Sequence, residues 1–478
     1  MLFNSLKFLV FFPAVFYLYW LFPQRFRKYL LLASSYYFYM CWKPEFIVLV
    51  LLSTVVDYFC ALGMEWFPKR KNMLLTISLT MNLGLLFFFK YFNFFGESLT
   101  AVCRAVSIPF SAPVLDIILP VGISFYTFQT LSYTIDVYKG KLKPEHDFVL
   151  FALFVSYFPQ LVAGPIEKAS NLLPQLKAPH TFQYDQAAYG ARLIGWGFFK
   201  KCIVASYLAQ LADAVYRNAG AASGGAAALA TAAFALQIYC DFGGYSDIAR
   251  GCSEMMGIHL MENFKAPYFA VSMRDFWWRW HISLTSWFRE YVYFPLGGSR
   301  ISLGITLRNT WIVFALSGLW HGANWTFVVW GLLQAFYLGW EILWQHWHNR
   351  TDSGKYPWLM RLKVFILACI AWVFFRANSM GDAVVILLRI ITGLAHPRSY
   401  ILDALHLLLG EAKEHALITL ISVALLFFID YRNEKEDVMK ELGQLHPVAR
   451  YLLYTGFLVC LILLIPKSTA VPFIYFQF

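Results

Sequence analysis

Apolar runs of membrane-crossing length, separated by short basic loops, recur from residue 8 to residue 465 of this chain. A transmembrane helix needs about 20 predominantly apolar residues. Runs at 8–22, 73–91, 188–216, 325–344, 358–376, 416–430 and 451–465, two more between residues 28 and 69, and shorter or more polar ones between them predict helices throughout. The expectation is an all-α polytopic membrane protein with about eleven spans, forming one membrane domain over residues 1–478. The basic clusters Arg25, Arg27, Lys28 and Lys69, Arg70, Lys71 lie two crossings apart, so both fall on one side. Short basic loops mark the cytoplasmic face. The N-terminus and the tail after residue 465 are then extracytoplasmic, and the first span, with only Lys7 leading it and no cleavage site before Trp20, is expected to be uncleaved.

Four stretches break the apolar pattern. Within 117–138, Ser124, Tyr126, Thr127, Gln129, Ser132, Tyr133 and Asp136 give one span a polar face, which suits a cavity wall better than lipid. The run from Phe148 to Phe158 is interrupted by Pro159, Gly164 and Pro165 before a full crossing, which predicts a re-entrant element. Asp241 and Asp247 flank Gly243 and Gly244, but no third ligand stands at useful spacing, so a helix-end turn is expected there rather than a metal site. The block Arg274–Arg300 mixes charge and aromatics too closely for a span and predicts an amphipathic element at the cytoplasmic interface. Its Arg274, Arg279, Arg289 and Arg300 can bind an anion or simply anchor the topology. His281, on the apolar side of this element, is open to packing, hydrogen bonding or catalysis.

The remaining irregularity is Ser317-Gly318-Leu319-Trp320-His321-Gly322-Ala323-Asn324-Trp325. The apolar run opens after Arg308, so at 1.5 Å per residue His321 sits about 18 Å in, near mid-bilayer. Ionisable residues at that depth are rare and mark functional sites more often than packing. Gly318, Gly322 and Ala323 let neighbouring helices or a ligand approach the backbone, while Trp320 and Trp325 supply flat walls.

Composition narrows the class further. The chain is 59% hydrophobic, 19% aromatic and 14% charged, with mean hydropathy +0.55, which excludes an ordinary soluble protein. The net charge of +11 resides in loops between apolar runs, so it is explained first by membrane orientation and second by attraction of a cytosolic anion, two readings that the sequence leaves open, and no nucleic-acid partner is expected. Cys41, Cys60, Cys103, Cys202, Cys240, Cys252, Cys369 and Cys460 form no CxxC pair and are expected as buried thiols.

Arg279-Trp280-His281-Ile282-Ser283, Pro295-Leu296-Gly297-Gly298 and Gly318-Leu319-Trp320-His321-Gly322 together resemble the membrane-bound O-acyltransferase (MBOAT) family, in its bacterial alginate O-acetyltransferase branch. Leu119-Pro120-Val121-Gly122-Ile123-Ser124-Phe125, Gly164-Pro165-Ile166 and Tyr239-Cys240-Asp241-Phe242-Gly243-Gly244-Tyr245-Ser246 match as well, in the same order. Trp278 departs from the pattern, standing where relatives more often carry a basic residue.

The resemblance implies a helical ring with re-entrant and interfacial helices, whose cytosolic and extracytoplasmic funnels meet at His321. It implies transfer of acetyl groups from acetyl-CoA, without a metal, toward an exported or cell-envelope polysaccharide such as alginate, cellulose or peptidoglycan, in a bacterial inner membrane. His321 is the expected base: a buried, neutral imidazole can take a hydroxyl proton and return it to the thiolate. The second family histidine maps onto His281, expected to orient the donor; Arg274, Arg279, Arg289, Arg300 and Trp320 are expected to hold it. The tail Phe473-Ile474-Tyr475-Phe476-Gln477-Phe478 resembles the family's C-terminal tyrosine motif, making Tyr475 a candidate acyl relay to a periplasmic SGNH-hydrolase-like partner, or else an interfacial anchor among membrane lipids. Two other readings stay open: D-alanyl transfer within the same superfamily, and a multi-pass transporter, for which no internal repeat is found.

Overall fold

The computed structural model describes residues 1–348, 356–411 and 415–466, and among them every regular element is helical. Seven helical stretches are long and apolar enough to cross a membrane, beginning with Pro44–Trp66 and ending with Pro447–Leu464. Other expected crossings fall on helices that are shorter or more polar, including Leu6–Leu21, Ile123–Tyr138 and Leu303–His321. The chain divides into two compact units, one of Met1–Ala191 with Ala249–Met261, the other of Arg192–Ile248 with Glu262–Phe478.

In the first unit the expected break after Phe148 is present. Helix Phe148–Ser156 stops and a single turn, Phe158–Leu161, follows, all of it buried from Leu150 onward. A broken helix leaves backbone groups that must find partners away from water. The Phe154 carbonyl accepts from the side-chain amides of Gln129 (2.6 Å) and Gln160 (3.0 Å), and the Phe158 N–H donates to Ser35 Oγ (3.1 Å). The polar face of Ile123–Tyr138 is buried inside this unit, and its Gln129 serves the broken helix. Asp57 is likewise satisfied from neighbouring helices, accepting from Ser78 Oγ (2.6 Å) and Asn82 Nδ2 (2.9 Å).

In the second unit Gly224–Met255 is one uninterrupted helix, so the turn expected around Gly243 and Gly244 is absent. The two carboxylates there face lysines of the π-helical segment Phe199–Val204: Asp247 pairs with Lys200 at 2.5 Å and Asp241 with Lys201. Buried charges persist only when paired in this way. The glycines serve helix contact, since a Cβ on Gly244 would lie 2.6 Å from the Gly197 carbonyl oxygen, and one on Gly197 would lie 2.6 Å from that of Gly244. The basic block is two short helices, Met273–Arg279 and Ile282–Phe288, the second running into a π-helical turn at Arg289–Tyr293. Gly297 (φ 107°) and Gly298 (φ 62°) then reverse the chain, a conformation that glycine adopts freely, and the Asn309 amide holds the reversal by donating to the carbonyls of Leu296 and Gly298.

Helix Leu303–His321 follows and packs against Trp325–His348 at backbone distance. A Cβ on Gly331 would lie 2.2 Å from the Phe314 carbonyl oxygen, and one on Gly318 would lie 2.4 Å from that of Phe327. Gly331→Ala is therefore expected to destabilise the purified protein by about 1–3 kcal/mol through overpacking, read as a lower melting temperature. Gly339→Ala, whose new methyl would lie 3.6 Å from Leu307 Cδ2, leaves it unchanged. Identical melting of the two variants would refute the backbone contact.

Candidate active site

His321 is the last residue of helix Leu303–His321 and is 3% exposed. Its ring is boxed by others: Trp330 at 4.9 Å and Phe375 at 5.3 Å between centroids, both steeply inclined, with Trp320 at 5.0 Å. Trp325, expected as a wall, is instead 54% exposed. Trp330 and Phe375 come from the next two helices. Nothing in their sequence context distinguishes them in a chain that is 19% aromatic.

His281 lies between the two short helices of the basic block, and its ring centroid is 6.3 Å from that of His321. It occupies the left-handed region (φ 43°, ψ 53°), a costly conformation for a residue with a Cβ and one that clusters at functional sites. The side chain is 1% exposed, with Phe242 edge-on at 4.7 Å and Nδ1 3.2 Å from Asn263 Oδ1. Burial pushes the imidazole down to about 3, so it is neutral across the physiological range.

A cavity of about 680 Å³ opens between the basic block and helix Leu303–His321. Arg274, Arg289 and Arg300 line it, together with Trp277, Trp278, Phe288 and Phe294. Its far wall is one stripe of helix Leu303–His321, made by Thr306, Thr310, Phe314 and Ser317. Spacings of four, four and three residues place these side chains on one face, and four more residues lead to His321. The cavity therefore reaches Ser317, one helical turn or about 6 Å short of the His321 position along the axis. A largely apolar hollow of this size with a few converging cations is a typical small-molecule site, suited to a ligand with an anionic end.

Three of the four arginines singled out from the sequence share that cavity, and the fourth does not. Arg279 binds Asp275 (2.8 Å) and Glu434 (3.1 Å), and Glu434 is also held by Arg361 at 2.8 Å. Arg289, by contrast, lies over the Trp278 ring at 4.5 Å, so the residue that departs from the family pattern supports a cavity cation. Trp320 packs on both histidine rings and is not part of the cavity wall. Tyr475 lies outside the described residues. Among the described residues no group of three or more His, Cys, Asp or Glu side chains is placed to hold a metal ion.

The model of the MBOAT, or membrane-bound O-acyltransferase, family matches residues 142–381, half the chain, and that stretch contains both histidines and the whole cavity. The chain belongs to the membrane-bound O-acyltransferase family. It is accordingly an O-acyltransferase and a membrane protein. Within the family it is similar to a probable alginate O-acetylase of Azotobacter vinelandii, with 39% identity over 392 residues, covering 80% of this chain and 76% of the relative. A peptidoglycan O-acetyltransferase of Helicobacter pylori is 35% identical over 390 residues, covering 76% and 73%. A teichoic acid D-alanyltransferase of Bacillus subtilis is 27% identical over 260 residues, covering 52% and 64%.

The different engagements of the arginines separate in a stability measurement. Arg279→Gln leaves Asp275 and part of Glu434 without a cation and is expected to lower thermal stability by roughly 1–3 kcal/mol, the scale of charge-assisted hydrogen bonds. Arg289→Gln, which loses only the contact with Trp278, is expected to melt like the wild type; equal destabilisation by both would contradict this division.

Proposed function

We propose that this protein transfers acetyl groups from cytosolic acetyl-CoA to a hydroxyl, for O-acetylation of an exported or cell-envelope polysaccharide. The observation that carries the proposal is the buried His321 imidazole one helical turn beyond a cavity lined by three arginines. In this reading Arg274, Arg289 and Arg300 hold the donor's phosphates, and the aromatic side of the cavity takes its thioester arm. His321 accepts the hydroxyl proton as the oxygen attacks the thioester carbonyl; the C–S bond breaks, and the imidazolium returns the proton to the departing thiolate. The box of rings keeps water from competing for the thioester.

Acetyl is favoured over D-alanyl because the relatives of higher identity and coverage are named O-acetylases and an O-acetyltransferase. Family membership likewise favours transfer chemistry over transport. The setting proposed is a bacterial cytoplasmic membrane, with the N-terminus and the tail outside.

His321→Ala should lower acetyl transfer by the purified protein about 10²- to 10⁴-fold, the range for loss of a general base, with its melting temperature near that of the wild type. A folded His321→Ala protein working at the wild-type rate would remove the proposed base.

Tyr475 is proposed as the outward relay. A phenol of pKa near 10 is a better leaving group than a sugar hydroxyl, so acetyl-tyrosine is an activated ester that a periplasmic SGNH-hydrolase-like partner can collect. Intact-protein mass spectrometry of the wild type without that partner is expected to show one added acetyl, lost in Tyr475→Phe together with polymer acetylation. Unimpaired polymer acetylation by Tyr475→Phe would return this tyrosine to the role of a membrane anchor.

A further inference from the structure

Asn263 is 1% exposed, and its whole side chain is engaged. The Ser283 backbone N–H (3.3 Å) and the Ser283 hydroxyl (2.9 Å) both donate to Asn263 Oδ1, while Asn263 Nδ2 donates to Ser246 Oγ (3.2 Å). A backbone N–H has only a proton to offer, so the atom facing Ser283 must be the amide oxygen, and the orientation of the amide is fixed. Asn263 also secures the turn itself, since its carbonyl accepts from the Ile282 N–H at 3.0 Å, beside the strained His281 backbone.

His281 Nδ1 is 3.2 Å from that same Oδ1. An amide oxygen only accepts, so Nδ1 must carry hydrogen. A neutral imidazole has one ring proton, which leaves the lone pair on Nε2.

We propose that Asn263 is a positioning residue that locks His281 in its Nδ1–H tautomer, so that Nε2 accepts a hydrogen bond from an amide N–H of the acyl donor's thioester arm. His281 in this state cannot donate from Nε2 to the thioester carbonyl, so it orients the donor and does not stabilise an oxyanion. The proposal rests on the O-acyl transfer reading of the site. It gives the two histidines, 6.3 Å apart, separate tasks: one moves a proton, the other keeps its own.

The first test needs no turnover, and so stands apart from the acyl-transfer reading. The dipeptide His–Ile occurs once in the sequence, at His281-Ile282, so labelling histidine with ¹³C and ¹⁵N and isoleucine with ¹⁵N singles out His281 in solid-state NMR of the full chain in lipid. At pH 7 the wild type is expected to show a protonated Nδ1 and a bare Nε2. A protonated Nε2 would overturn the lock, whatever the protein catalyses. The second test is kinetic: Asn263→Ser, which removes the fixed acceptor, should raise KM for acetyl-CoA about three- to tenfold, the value of one hydrogen bond, with a smaller change in kcat. Asn263→Asp keeps an oxygen facing Nδ1 and should retain the Nδ1–H signal. An unchanged KM in folded Asn263→Ser, or loss of the Nδ1–H signal in folded Asn263→Asp, would overturn the positioning role.

Discussion

Gly318 and Gly331 bring helices Leu303–His321 and Trp325–His348 into backbone contact, and the surroundings of His321 follow from that contact. With any side chain at either position the helices would stand further apart, and the Trp330 ring would withdraw from its 4.9 Å approach to the imidazole. Close approach through small residues is how membrane helices associate where apolar burial supplies little driving force. Gly322 extends the same requirement, because a Cβ there would lie 2.2 Å from the Phe327 ring. The setting of His321 thus rests on glycine: a buried imidazole boxed by aromatic rings, in a place where an unscreened charge or dipole counts for more than in water.

Around that fixed point the two histidines are treated differently. His321 ends a helix of which one stripe lines a cavity as far as Ser317, one turn earlier. His281 sits in a strained turn that Asn263 grips through both its backbone and its side chain. Strain of this kind persists only where surrounding bonds over-determine the conformation. The arginines divide similarly. Arg274, Arg289 and Arg300 line the cavity, whereas Arg279 is bound into a cluster with Asp275, Glu434 and Arg361 that fixes the short helix carrying it.

Much of this was legible in the sequence because it has local signatures. His321 stood out as an ionisable group deep in an apolar run, the break after Phe148 was marked by Pro159 and Gly164, and the motifs around both histidines indicated the family that the comparisons establish. What escaped depends on partners distant in the chain. Asp241 and Asp247 beside two glycines read as a turn, yet they lie within a helix because Lys201 and Lys200, about forty residues earlier, neutralise them. Arg279 looked equivalent to its neighbours until Glu434 came beside it. The polar face of Ile123–Tyr138 gave no sign that its Gln129 satisfies a carbonyl released by the broken helix. Asn263 carried no local signal at all, since its contacts exist only once Ser246, His281 and Ser283 converge on it.

In the proposed reaction the arginine-lined cavity delivers a thioester to His321. A structure of the full chain in lipid with a non-hydrolysable thioether analogue of acetyl-CoA tests it directly. Phosphates are expected against Arg274, Arg289 and Arg300, with the acyl end past Ser317 and within about 4 Å of the His321 ring, close to the reach proton transfer requires. An analogue seated elsewhere, or one whose acyl end points away from His321, would contradict it.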